Sequence, residues 1–589
     1  MKNILGLAVL GLVMASPASA EQSLYISFPP TEYKTTSDKI FLIGTAPPTG
    51  KVLVNGKAIT RSPAGHFAPS FPLQVGQNKF KVQYQNKEVQ VNVTRTSTRP
   101  KPPEGLAFAP NSLTPDVDIA RLPGELVCFG AIAPPNANVS VNLGGQNIPL
   151  ANQQQIVDLP ANSAALTQQN QPYAILGAGH YLGCAATAAA ADLGRPQFNL
   201  TMHSEEVKTP RTLTQQGPGK VQILSPAKLE VAEVIADAGV ARTGAGTDYS
   251  RLTPLPKGTR ATITGREGEW VRLDYGGWIN SNEVRIVPGS VPPKSLIRSI
   301  RASKVSGATE VVFPLQVPVP MTVQQGDRTL TLTLYNTTAQ TDIIRLDDDP
   351  VISRLDWQQV APGVIQYTFN LKSQQQWGYQ LQYRGTSLVL SLRHPPNRSK
   401  QSAKPLAGIK IVLDPGHGGK ESGAAGPTGY LEKDVNLIMS KLVGYHLIER
   451  GATVYMTRET DKQMSLPERV AIIDAVKPAI SVSIHYNSLP DNGDAQNTQG
   501  FGAFWYHPQA QNLAVFLHNY IVQNMGRPSY GVFWDNLALA RPATAPSVLL
   551  ELGFMSNPVE FEWVVNPQEQ QRMASAIADG ITQWFATAR

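Results

Sequence analysis

Two histidines and two glutamates in the last third of this chain have the types and settings for metal-assisted hydrolysis. His417 follows Ile411–Gly416 (I-V-L-D-P-G), where three apolar residues break at Asp-Pro-Gly. A buried strand therefore ends abruptly and delivers an imidazole to the lip of a sheet. In open α/β sheets that lip, at the carboxyl ends of the strands, is where ligands bind. Ala479–His485 (A-I-S-V-S-I-H) is a second buried-strand run ending on a histidine, and Ser547–Gly553 (S-V-L-L-E-L-G) is a third, carrying Glu551. Glu432 lies between the first two, at the opening of a helix-like segment. Two imidazoles and one carboxylate make an open zinc site with one position left for water, and another carboxylate can act as base. Zinc brings a water's pKa to roughly 7, and a positioned base is worth ~10²–10⁴-fold. Glu551 suits the base, because a glutamate in an apolar strand is costly unless it faces a functional cavity.

Other candidates carry weaker signals. Asp414 precedes proline and reads as a turn-stabilising or outer-layer contact. Asn487, two residues past a histidine, is placed to orient that ring or the substrate, and His507 is a candidate for the cleft wall. His446 and His518 read as packing or surface histidines on helices.

These residues need elements to hold them. From Ala407 the texture alternates strand and helix, the pattern of a mostly parallel sheet covered by helices. Strands are predicted at Lys410–Leu413, Thr453–Thr457, Ile480–Ile484, Gly502–Trp505 and Val548–Leu552. Helices are predicted at Lys433–Arg450, Leu466–Val476, Gln509–Met525 and Pro567–Trp584. Asn566-Pro567 starts the last with a cap residue followed by proline.

Upstream, the 589-residue chain is too long for one core. Its 16% charged residues, 48 Gly and 47 Pro suit a multidomain chain with many turns. The predicted fold class is N-terminal all-β modules followed by a C-terminal α/β domain. Residues 1–20 have Lys2, an apolar run and Ala18-Ser19-Ala20, the makeup of a secretory signal peptide. Residues 21–96 read as a β-sandwich, with Asn55-Gly56 as a hairpin turn. Residues 106–206 form a second β-rich module, in which Ala151–Gln171 reads as a long loop and Cys128 and Cys184 as a structural disulfide. Residues 225–288 and 295–394 are two further β units, with linkers near 98–104, 209–220, 287–295 and 394–404. Residues 21–406 hold 37 Lys/Arg against 27 Asp/Glu, and residues 407–589 hold 13 against 17. The basic charge thus sits outside the catalytic unit and suits an anionic envelope polymer. Nucleic acid is not an expected partner for an exported protein, and no stretch of the mature chain is long enough to span a membrane.

Several ordered motifs carry a resemblance: Ile411–Gly419, then Glu432-Lys433-Asp434-Val435-Asn436-Leu437, Thr457-Arg458 and Leu466-Pro467-Glu468-Arg469. Ser483-Ile484-His485-Tyr486-Asn487 and Leu550–Asn557 complete the set. Over roughly 180 residues this resembles the zinc-dependent N-acetylmuramoyl-L-alanine amidases that split bacterial cells. The resemblance implies Zn²⁺ held by His417, Glu432 and His485, with Glu551 catalytic. It also implies peptidoglycan as substrate, cut between the lactyl group of N-acetylmuramic acid and L-alanine. It departs at Glu421, where the family has Asp, and at Tyr486, where it has a small residue. Ala241–Gly244, Asp248–Leu252, Glu269–Arg272 and Gly276–Ile279 resemble bacterial SH3-like domains, and Leu296–Arg393 is similar in position and strand pattern to AMIN-type domains. The implied setting is the periplasm or cell wall, with cell-division or envelope proteins as activators. Some relatives insert a blocking helix after the second histidine. Here only Asn487–Gly500 separates the strands, too short for such a helix and its connections, so self-blocking of that kind is not expected. A wall zinc peptidase and a non-catalytic wall-binding scaffold are the rival readings.

Overall fold

The computed structural model describes residues 23–97, 101–167, 169–204, 207–397 and 402–588; the expected signal peptide lies outside them. The β-rich N-terminal region and the C-terminal α/β domain appear as the sequence predicts.

The C-terminal domain has one six-stranded sheet. Its strands are β1 (Lys410–Pro415), β2 (Thr453–Met456), β3 (Ile480–Asn487), β4 (Phe501–Trp505), β5 (Ser529–Trp534) and β6 (Ser547–Phe554). The order is β2-β1-β3-β6-β4-β5. All neighbours run parallel except β4 and β6, which are antiparallel. The helices are α1 (Glu432–Glu449), α2 (Leu466–Val476), α3 (Pro508–Met525), α4 (Pro558–Val564) and α5 (Pro567–Thr587). Ser465 and Glu468 form a capping box at the start of α2. Asn557 and Asn566 cap α4 and α5 by accepting from backbone N–H groups. Strand β5 and helix α4 were not predicted.

Upstream, two β units share one sheet. Ile119–Arg121 pairs with Val221–Ile223 on one side and Arg260–Glu267 on the other. This joins the second module to the SH3-like unit. The expected linker at 209–220 is largely strand, Val207–Gln216, paired with Gln197–Ser204. Its Thr-rich run favours extended backbone, and the turn lies only at Gly217-Pro218-Gly219. Within the stretch read as a loop, Gln155–Asp158 pairs with Tyr173–Leu176 as a short hairpin. Cys128 and Cys184 face each other on paired strands and form a disulfide. Trp278 is buried, with Arg121 and Arg272 over its ring, so it packs and does not present a ligand platform. The 295–393 unit is a sandwich of a five-stranded and a four-stranded sheet, and it shares a hydrophobic core with the SH3-like unit.

The α/β domain is clamped from two sides. Asp491 accepts hydrogen bonds from Tyr33 and Thr35, Gly493 O accepts from Ser70, and Ala495 is buried among Phe41, Ile43 and Ala68. The short segment after β3 is therefore held by the N-terminal sandwich. On the other side, Trp377 of the 295–393 unit enters the α/β core, edge-on to Trp584 at 5.6 Å and stacked on Phe585 at 6.0 Å. Arg393 donates to the carbonyls of Pro478 and Thr544. Because Trp377 completes a core, Trp377→Ala in the full chain is expected to destabilise the α/β domain by about 3–5 kcal/mol. Urea unfolding followed by far-UV circular dichroism measures this, and an unchanged midpoint would contradict the clamp.

Candidate metal centre

Strand β1 ends in Asp414-Pro415, and the next residues turn under tight control. Arg458 donates to the carbonyls of Pro415 (3.0 Å) and Gly416 (2.8 Å). Arg469 donates to those of Pro415 (2.8 Å) and His417 (2.6 Å). Both guanidinium groups are buried. Asp414, fully buried, faces Arg469 at 2.8 Å and accepts from Thr457 (2.5 Å) and Ser483 (2.6 Å). Burial pushes its carboxyl up, but Arg469 and the two hydroxyls outweigh that and hold it below the usual range. His417 is thereby fixed at φ 59°, a conformation uncommon for a side chain other than glycine.

The three expected ligands converge. His417 Nε2 lies 3.2 Å from Glu432 Oε1, and His485 Nδ1 lies 3.0 Å from the same oxygen. One donor atom from each residue fits within 4.8 Å of the others. Tetrahedral zinc with bonds of about 2.0 Å has ligand–ligand edges of about 3.3 Å, so this spacing suits the ion. Glu432 opens α1, where the helix end favours a carboxylate. Its Oε2 accepts from Ala424 N and its Oε1 from Asn436, one turn later. Burial opposes its ionisation, yet the two imidazoles hold it well below the usual carboxylate range. In return, against its own burial, His417 is raised by Glu432.

Glu551 stands beside this set. It is opposite His485 in the β3–β6 register and opposite Gly502 across β4. Its Oε2 is buried and has no hydrogen-bond partner among the described residues. Burial, then the charge of Glu432, raise its pKa well above the normal value. An orphaned carboxyl oxygen next to three metal-type donors fits a water-bearing metal site.

The remaining candidates lie elsewhere. The Asn487 side chain accepts from Ser488 N, and its carbonyl accepts from Met555 N, so it ties β3 to the end of β6. His507 is not brought to the site. Because β4 runs against β6, it emerges at the opposite edge of the sheet, where its ring bonds to Arg541 O and meets Tyr379 edge-on. Burial pushes its imidazole down to about 4. Sequence reading gave no role to Arg458, Arg469 and Asn436, although all three lie in the quoted motifs. Asn436, four residues past Glu432 on the same helix face, is the one that spacing alone could have flagged.

Residues 411–583 match the family model described as N-acetylmuramoyl-L-alanine amidase, and residues 239–285 match that of the bacterial SH3 domain. The chain therefore carries an amidase-type domain and an SH3-type domain. A probable cell wall amidase, LytH, of Staphylococcus epidermidis is 34% identical over 194 residues, 33% of this chain and 64% of that one. The Staphylococcus aureus counterpart is 36% identical over 184 residues, 31% of this chain and 60% of that one. The chain thus spans less than two thirds of these relatives' length. Among solved structures, the catalytic domain of the amidase CwlV from Bacillus (Paenibacillus) polymyxa var. colistinus is 32% identical. It covers 31% of this chain and 99% of its own, with a TM-score of 0.29.

Two outcomes follow from this geometry. A Cβ on Gly416 would lie 2.1–2.5 Å from ring atoms of His485. Gly416→Ala is therefore expected to weaken zinc binding about 10–100-fold, read as zinc content after dialysis against a calibrated chelator. Asp414→Asn strips the buried Arg469 of its counter-charge and is expected to cost about 3–5 kcal/mol at pH 7. The folded Asp414 has a lowered pKa, so its contribution is present above about pH 4, the unfolded value, and fades as pH falls further. Urea midpoints of wild type and variant should converge below that pH; a constant gap down to pH 2 would contradict it.

Proposed function

We propose that the C-terminal domain, which matches the N-acetylmuramoyl-L-alanine amidase family, hydrolyses the amide between the lactyl group of N-acetylmuramic acid and L-alanine in peptidoglycan. The observation that carries this reading is the convergence of His417, Glu432 and His485 beside the unpartnered Oε2 of Glu551. His417 Nε2, Glu432 Oε1 and His485 Nδ1 are the atoms that would hold zinc. A zinc ion bound there supplies Lewis acidity, polarising the scissile carbonyl and acidifying water.

The chain's own residues do the rest. Glu432, kept anionic by its two imidazole neighbours, contributes the negative charge of the donor set. Glu551 accepts the water's proton at Oε2 and returns it to the leaving nitrogen of L-alanine. Its place opposite Gly502 leaves the face of β4 beside it free of a side chain. Arg458, Arg469 and Asn436 keep the first histidine and the glutamate in place.

The secretory character of residues 1–20 and the basic upstream modules support action outside the cytoplasm, in wall remodelling or daughter-cell separation, with the β modules holding the enzyme on the wall. No helix among the described residues is long and apolar enough to cross a membrane.

Digestion of purified sacculi, with products identified by mass, tests the reading. Wild type should release intact stem peptides with a free L-alanine amine and leave unsubstituted lactyl groups. Chelator treatment should abolish release, and added zinc should restore it. Glu551→Gln should lower the rate ~10²–10⁴-fold with zinc content unchanged. Cuts within the stem peptides would instead assign a peptidase.

A further inference from the structure

The sheet edge opposite the metal centre carries an unassigned combination of aromatic surface and positive charge. β4 and β5 run side by side and both end there, with Trp505 registered to Trp534. Trp534 is 58% exposed, an unusual setting for so large an apolar side chain. It is not loose: its ring stacks on Tyr506 at 5.3 Å with planes 24° apart, and its Nε1 donates to Tyr506 O at 2.8 Å. One broad face of a fixed indole is thus left to solvent.

Cationic groups gather beside it from two units. Arg541 follows β5, its carbonyl bonded to His507 next to Tyr506 and its guanidinium donating to the Asn536 carbonyl (2.8 Å) and side chain (3.2 Å). Arg251 comes from the SH3-like unit, where its backbone pairs with that of Arg242. Leu255–Pro256, just past Arg251, lies against Tyr379–Arg384, and Tyr379 N donates to Ala543 O, just past Arg541, so the two arginine-bearing segments meet at one seam. Among the described residues neither Arg251 nor Arg541 forms a salt bridge. Burial, then the like charges of Arg251 and, more weakly, Arg242, push Arg541 down to about 10, while Tyr506 opposes the shift. Asp248 and Glu283 act on Arg242. Asp535, next to Trp534 in sequence, is half-buried, and burial raises its carboxyl.

A flat aromatic face takes the C–H face of a pyranose ring, and uncompensated guanidinium groups take carboxylates, often two-pronged. We propose that Trp534, Tyr506, Arg541 and Arg251 form a second binding site, on the sheet edge away from the metal centre, for a sugar chain bearing carboxylates. The proposed reaction generates one such chain, since each cut frees a lactyl carboxylate on N-acetylmuramic acid; this choice of source rests on that reading. The site would hold the enzyme on glycan already stripped of peptide while the cleft works on another strand.

The test uses the full mature chain and peptide-free glycan strands prepared with an unrelated hydrolase, so binding is read without turnover by this protein. Calorimetry should show binding that weakens with salt. Trp534→Ala and the double variant Arg251→Gln/Arg541→Gln should each weaken it about tenfold or more. Both should leave hydrolysis of a small soluble muropeptide and the thermal midpoint unchanged. Amidating the glycan's lactyl carboxylates should have the same effect as the double variant. Polygalacturonate, a carboxylated polysaccharide from outside the wall, separates the sources: equal binding makes the site general for acidic sugars, and weaker binding assigns it to muramic acid chains. Wild-type affinity in both variants, or undiminished binding of the amidated glycan, overturns the proposal. If the glycan binds as expected but sacculi yield no amidase products, the site stands and the catalytic reading fails.

Discussion

Two buried arginines clasping three consecutive carbonyls are what the rest of the α/β domain depends on. The backbone from Pro415 to His417 leaves the sheet and turns back on itself inside protein, where each unpaired carbonyl would cost about 1–3 kcal/mol. Arg458 and Arg469 satisfy all three. Two guanidinium groups are costly to bury, and Asp414 answers only one of them directly. Buried ion pairs are poor evidence of stability. Here the arrangement fixes a shape: the left-handed turn that aims His417 at Glu432 exists because its carbonyls have nowhere else to go.

From that anchor the sheet does the positioning. β1, β3 and β6 lie adjacent and parallel, so Asp414, His485 and Glu551 reach one edge by strand direction alone. Glu432 comes to the same edge because α1 begins there, and Asn436 binds both its carboxylate and Gly416 O, joining helix to turn. β4 reverses direction, which places Gly502 against Glu551 and sends His507 to the far edge. One reversal thus separates a residue on the edge of the candidate metal site from a histidine only five positions later.

Much of this was legible in the sequence, for local reasons. An apolar run broken by Asp-Pro-Gly or ending on histidine marks a strand end, and the Ser465/Glu468 and Asn566-Pro567 signatures mark helix starts. The histidines of the candidate donor set were readable because few histidines follow such runs. What failed was long-range. His507 was misplaced because the direction of β4 is set by its neighbours, not by its own residues. The shared sheet of the second and SH3-like units rests on pairings such as Ile119 with Glu267, and the N-terminal clamp on contacts such as Tyr33 with Asp491. Neither leaves a periodic trace in either segment. Helix α4 could have been found, since Asn557-Pro558 repeats the signature of Asn566-Pro567, but seven residues are too few for a clear apolar stripe.

The charges at the centre give the donor set its direction. Glu432 and Glu551 are two neighbouring buried carboxylates, and their proton affinities are driven apart: imidazole contacts hold Glu432 ionised, while burial and Glu432 itself drive Glu551 toward the neutral form. With side chains alone, Glu551 therefore tends to keep its proton and makes a poor base. On the proposed reading, a divalent cation held by the three donors would offset the charge of Glu432 and lower the proton affinity of Glu551. That dependence would link metal binding to the competence of Glu551 as a base. It also accounts for a glutamate in the middle of a buried strand, where an apolar side chain would have served the fold better.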